Sequence, residues 1–190
     1  MALNHNILLG VTGGVAAYKA VDLASRLTAA GAAVRTIMTE SACQLVGPKS
    51  LEAVTHQPVY VGLWAAAQDH DIEHIRLAEW ADLVVVAPAT ANCLAKIAGG
   101  ICDDLLSTVL CVCWRKPVLL APAMNTQMWS NPIVQRNVRT LTDLGLHLVG
   151  PESGRLACGQ TGIGRMAEPE QILQAIQDLA TGHAEAGCGS

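Results

Sequence analysis

The sequence predicts a three-layer α/β/α domain built on a mostly parallel sheet. Three observations carry this. Short apolar runs alternate with stretches of helical spacing along nearly the whole chain. Runs such as DLVVVAPA (82–89) are apolar without a break, which marks strands buried on both faces. Each run also ends in a loop rich in Gly, Pro, Ser, Thr or Asn. In an open sheet with helices on both faces, such carboxyl-end loops form the ligand crevice.

The elements follow in order. NILLGV (6–11) is the first strand, and 14–30 is an alanine-rich helix with Leu23 and Leu27 at helical spacing, stopped by Gly31. AVRTIM (33–38) is the second strand. DLVVVAPA (82–89) ends in a proline loop, and helices at 91–98 and 103–113 are split by Gly99 and Gly100. PVLLAP (117–122) is another strand, 131–144 a helix, HLVGP (147–151) a last strand and 169–180 a last helix.

The 190 residues suit one domain over 1–180, with a small polar tail at 181–190 expected to be disordered. Hydrophobic residues make up 51% and charged ones 15%, which implies a large core and surface buried against copies of the chain. A net charge of -4 offers no basic footprint for nucleic acid. No apolar run spans a bilayer, so no membrane is expected. The start MALNHNILLG lacks the basic region of a signal peptide. Seven cysteines, an odd number without CxxC, fit a reducing cytoplasm better than a disulfide framework, and Cys111 and Cys113 read as buried thiols. No metal site is expected.

Six segments stand out as candidate sites. In VTGGVAAYK (11–19), Gly13 and Gly14 let backbone approach a ligand and the following helix start favours an anion. A tight strand–helix turn explains the same residues, and Lys19 is not in the P-loop position. In MTESA (38–42), Thr39 and Ser41 offer hydroxyls at a strand end, or simply a helix cap. APATANC (87–93), followed by GGICDDLLST (99–108), suits a flat ring lying on backbone with Thr90 and Asn92 donating hydrogen bonds, or a proline-bent cap of the next helix. In APAMNTQMW (121–129), Asn125 can hold a carboxylate without adding charge, while core packing explains Met128 and Trp129. HIRLAEWAD (74–82) carries His74, a candidate base or an ordinary helix-surface histidine. SGRLACGQTGIGRM (153–166) has four glycines, two arginines and Cys158 and cannot form a regular element; it reads as a functional loop or a flexible surface loop, with the apolar Leu156, Ala157 and Met166 against plain disorder.

Together these segments resemble the homo-oligomeric flavin-containing cysteine decarboxylases, over about residues 6–180. APATAN is similar to that family's PASANT motif, APAMNTQMW to its PxMNxxMW motif, and HIRLAEWAD to the segment with its histidine. GRLACGxxGxGRM resembles the substrate clamp of the branch acting on 4′-phosphopantothenoylcysteine. Peptide-acting members, which oxidatively decarboxylate a C-terminal cysteine of a lantibiotic-type precursor, generally lack that clamp. Cys93 departs from the motif, where Thr is usual. A fused downstream ligase domain is absent, so the chain reads as a monofunctional enzyme or an excised domain, with a possible separate synthetase partner.

The resemblance implies a Rossmann-like (flavodoxin-like) sheet and FMN as cofactor, used in a redox-neutral carboxy-lyase reaction of coenzyme A biosynthesis through a thioaldehyde and an enethiolate. It implies His74 as base, Asn125 holding the carboxylate and Cys158 as proton donor. FMN would meet Gly13, Gly14, Val15, Thr39, Ser41, Thr90, Ala91, Asn92 and Ala123. Arg155, Ala157 and Met166 would line the clamp with Asn125. It also implies a site between subunits of a homotrimer, or of a homododecamer of four trimers. The rival readings are the peptide branch, a non-catalytic flavin-binding regulatory subunit, and a prenyl-FMN-forming prenyltransferase of similar fold.

Overall fold

The structure, a computed structural model, describes residues 3–63, 73–157, 159 and 161–186. Strands β1 (Asn6–Val11), β2 (Ala33–Met38), β3 (Val59–Tyr60), β4 (Leu83–Ala89), β5 (Val118–Pro122) and β6 (His147–Leu148) form one parallel sheet in the order β3-β2-β1-β4-β5-β6. The order reverses between β1 and β4, so the crevice of this doubly wound sheet opens where those two strands end.

Period-two alternation divides the core. Ile7, Leu9, Val11, Leu83, Val85 and Ala87 face one hydrophobic cluster, while Leu8, Val84, Val86 and Leu120 face the other. Helices α1 (Tyr18–Ala29) and α3 (Pro48–Thr55) cover the first cluster with α9 (Pro169–Ala186). Helices α4 (Glu73–Trp80), α5 (Ala91–Gly99), α6 (Leu105–Val112) and α8 (Pro132–Asp143) cover the second. Leu23 and Leu27 are fully buried, as the spacing predicts; each such side chain contributes about 1.5–3 kcal/mol. Two short helices, α2 (Glu40–Cys43) and α7 (Thr126–Trp129), follow β2 and β5 at the crevice end.

Four expectations need correction. The helix expected from residue 14 begins as a 3-10 turn (Val15–Ala17) before α1. The 153–166 segment is not an irregular loop: β7 (Glu152–Arg155) and β8 (Thr161–Arg165) form an antiparallel hairpin. Its glycines pair across the ladder, Gly154 opposite Gly162, so low intrinsic strand preference hid a real element. The tail expected to fray from 181 continues α9 to Ala186, and 187–190 lie outside the described residues. Finally, Cys113 is buried but Cys111 is exposed. The two sit near the end of α6, where a two-residue step of about 200° puts neighbours on opposite faces.

Helix α4 ends against Lys116, whose ammonium donates to the carbonyls of Ala78 at 2.6 Å, Glu79 at 3.1 Å and Ala81 at 2.5 Å. This cation satisfies helix-end carbonyls and complements the helix dipole. Lys116→Met should cost on the order of 1.5–3 kcal/mol, the scale of hydrogen bonds to a charged group. The expected readout is a Tm lower by roughly 2–4 °C per kcal/mol, measured by calorimetry; an unchanged Tm would show that the cap is idle.

Among the described residues, no helix is long and apolar enough to cross a membrane. No three His, Cys, Asp or Glu side chains among them are grouped as metal ligands.

Candidate functional site

A cavity of about 1430 Å³ lies at the carboxyl end of the sheet, astride the β1/β4 reversal. Ligand pockets commonly span roughly 300–1,000 Å³, so this one has room for two ligands side by side. Its wall is built from the strand-end loops that the sequence marks.

Residues Thr12–Ala16 follow β1. The Thr12 hydroxyl donates to the Pro88 carbonyl at 2.6 Å and accepts from Thr90 N at 3.1 Å. The loops after β1 and β4 are therefore tied together across the reversal. Gly13 is pressed against α2: a Cβ there would lie 2.4 Å from the Ser41 Cβ and 3.0 Å from its carbonyl carbon. The close approach leaves backbone, with no side chain, facing the cavity.

The capping readings hold, and the same side chains face the cavity. Thr39 accepts from Ala42 N at 3.2 Å and caps α2; Thr90 accepts from Cys93 N at 3.3 Å and caps α5. Asn125 caps α7 through its Oδ1, which accepts from Gln127 N at 2.8 Å. All three nonetheless line the cavity. Such caps fix the rotamer of each side chain, which is what a preorganised binding wall requires.

Of the residues expected to meet a cofactor, Gly13, Gly14, Val15, Thr39, Ser41, Thr90, Ala91, Asn92 and Ala123 all line the cavity. So do Asn125, Arg155, Ala157 and Met166, expected at the substrate. Cys93 also lines it, but is 7% exposed, and burial pushes its thiol up to about 12. It stays a neutral, packed thiol. Cys158 lies outside the described residues.

His74 is the exception. It is half-buried in the first turn of α4, at the end away from the Lys116 cap, and does not line the cavity formed by one chain.

The structure adds charged residues that sequence reasoning missed. Lys96 bridges Asp103 and Asp104 at 2.6 Å each, and all three line the cavity. Burial opposes charge on Lys96, but the two carboxylates outweigh it and raise its pKa. Burial would likewise raise Asp104, but hydrogen bonds from Lys96 and Ser107 hold it below the ordinary carboxylate range. Asp104 also forms a capping box with Ser107 at the start of α6, its Oδ1 accepting from Ser107 N at 2.8 Å. The sequence signal was available: GGICDDLLST places an acid three residues before a serine at the start of an apolar helix. Lys19 and Arg165 line the cavity as well.

The hairpin closes one side of the site. Met124 N donates to Gly164 O at 2.9 Å, so β8 is seated directly on the loop that carries Asn125. On another side the wall is open: Val15 and Tyr18 are each 63% exposed and Met128 is 47% exposed.

The model of the Flavoprotein family matches residues 1–181. The chain belongs to the flavoprotein family. Among curated relatives, the "Coenzyme A biosynthesis bifunctional protein CoaBC" of Bacillus subtilis (strain 168) is 47% identical over 174 residues, 92% of this chain and 43% of that protein. The chain thus spans less than half the length of that relative. Among solved structures, a cysteine-to-serine variant of PPC decarboxylase complexed with pantothenoylaminoethenethiol matches with a TM-score of 0.82 and 38% identity, over 93% of this chain and 98% of the other. The FMN-binding protein AtHal3 matches with a TM-score of 0.81 and 37% identity, over 93% and 96%. The cavity wall fits the flavin that family membership implies: a glycine loop pressed close to α2, a second loop of capped hydroxyl and amide groups, and room beyond them.

Proposed function

We propose that the chain catalyses FMN-dependent decarboxylation of 4′-phosphopantothenoylcysteine to 4′-phosphopantetheine, a step of coenzyme A biosynthesis. The observation that carries this reading is one cavity uniting three features: the Gly13–Gly14 loop, Asn125, and a hairpin bearing Arg155, Ala157 and Met166. Its similarity to a coenzyme A biosynthesis protein and to a PPC decarboxylase complex supports the substrate assignment.

In this reading the flavin phosphate sits against Gly13, Gly14 and Val15 with Thr39 and Ser41 nearby. Thr90, Ala91, Asn92 and Ala123 meet the rest of the cofactor. A bound flavin supplies two-electron redox chemistry, which an ordinary cysteine carboxylate needs because it has no electron sink of its own. Asn125 lines the cavity, its Oδ1 accepts from Gln127 N, and its amide nitrogen is a neutral donor. Being neutral, that donor orients the carboxylate without stabilising a charge that must disperse as CO2 leaves. The hairpin covers the substrate and excludes water.

His74 is the base for the oxidation, and Cys158 the proton donor for the last step. Because His74 stands outside the cavity of its own chain, a neighbouring copy supplies it across a subunit contact. The open wall at Val15, Tyr18 and Met128 is where such a contact fits, in a homotrimer or a homododecamer built from trimers. The setting is the cytoplasm, where the free thiols among the described residues persist.

Cys158→Ser tests the proton-donor role. Its product should stop at the oxidised enethiol, two hydrogens lighter than the cysteamine-type product, by mass spectrometry. A product of full cysteamine mass would remove Cys158 from the role. Competition between phosphopantothenoylcysteine and a peptide ending in cysteine separates the two substrate branches: preference for the peptide would overturn the substrate assignment.

A further inference from the structure

The base of the hairpin is pinned to the flavin-side helix by one carboxylate. Glu168, just beyond β8, accepts from the Lys19 ammonium at 2.9 Å and pairs with Arg165 of β8. Lys19 belongs to the first turn of α1, directly after the glycine loop, and its side chain is only 10% exposed. Both cations line the cavity. The backbone of Glu168 is held too, its N–H donating to Gln171 Oε1 at 2.7 Å. The same Gln171 donates through Nε2 to Glu152 Oε1 at 2.7 Å. Glu152 stands opposite Arg165 in the hairpin ladder. Both strands of the hairpin, the start of α9 and the first turn of α1 therefore converge on Glu168.

The charge on this carboxylate is secure. The hydrogen bond from Lys19, followed by that from Arg165, outweighs burial and holds Glu168 below the ordinary glutamate range. A single anion between two cations from different elements fixes an angle as well as a distance, because both cations must face it.

We infer that Glu168 is a positioning residue, which acts through Lys19 and Arg165 to set how the hairpin closes over the substrate half of the cavity. It touches neither substrate nor flavin itself. The substrate part of this statement rests on the proposed decarboxylase reading; the hinge part does not. Loss of the carboxylate should loosen the hairpin at its base while leaving the Gly13 loop and the caps at Thr39 and Thr90 in place.

The test compares the flavin-loaded protein with its E168Q variant, using trypsin and steady-state kinetics. Cleavage after Arg155 in the hairpin should be at least fivefold faster in E168Q, with flavin content unchanged. The KM for phosphopantothenoylcysteine should rise about tenfold while kcat stays within twofold. Glu170→Gln, which removes only the exposed pair with Arg26, should change neither readout. If E168Q does not accumulate as folded holoprotein, Gln171→Leu cuts the same hinge from the other side and should also speed cleavage after Arg155. A merely structural Glu168 would lower Tm but leave the cleavage rate and KM at wild-type values, and that result would overturn the inference. Faster hairpin cleavage in a protein that does not turn over this substrate would keep the hinge and reject the substrate assignment.

Discussion

Replacing Gly13 with alanine should give a folded protein that does not hold its flavin. The added Cβ would lie 2.4 Å from the Ser41 Cβ, and the Ser41 carbonyl carbon is 3.0 Å away. Side-chain rotation cannot relieve a clash with backbone, so α2 and the glycine loop must part. That movement separates the Gly13–Gly14 backbone from Thr39 and Ser41, the groups proposed to share the phosphate. The core is untouched, since Val11 and Met38 remain fully buried on either side. Flavin absorbance per chain after gel filtration should fall at least tenfold, with the far-ultraviolet circular dichroism retained. Full flavin content in this variant would show that the phosphate lies elsewhere.

Gly164→Ala should abolish most turnover and leave the flavin in place. Gly164 has φ of 147°, a conformation that an L side chain rarely adopts, and its added Cβ would lie 2.2 Å from the Met124 carbonyl oxygen. Backbone strain of this kind costs on the order of 1–3 kcal/mol before any clash is counted. The cheapest relief is to lift β8 from the loop carrying Asn125 and lose the bond from Met124 N to Gly164 O. If the hairpin covers the substrate as proposed, lifting it should lower kcat/KM by more than tenfold, about 1.4 kcal/mol or more in transition-state terms. The two glycine variants thus separate the two halves of the cavity: one loses cofactor, the other substrate.

Much of this arrangement is legible in the sequence, and the reasons differ by element. The parallel sheet is legible because strands buried on both faces, such as Leu83–Ala89, cannot alternate with polar residues. The strand-end loops follow from the same rule, and Gly13, Thr90 and Asn125 lie where that rule puts them. The hairpin was missed because Gly154, Gly162 and Gly164 carry no pattern of hydrophobicity for periodicity to detect. Lys96, Asp103 and Asp104 were missed because charged residues in helix-forming segments usually mark solvent faces; only the packing of α5 against α6 turns them toward the cavity. His74 shows the opposite limit. Its motif marks it from the sequence, yet the fold of one chain does not bring it to the cavity, which is why a neighbouring copy is proposed to supply it.

The most direct measurement is the mass of the product formed when the FMN-loaded protein is incubated with 4′-phosphopantothenoylcysteine. The account predicts a yellow protein and a product lighter than the substrate by one CO2 and nothing else, the saturated cysteamine compound. A flavin-loaded protein that releases no CO2 from this substrate, or one that yields only the oxidised enethiol, would contradict it.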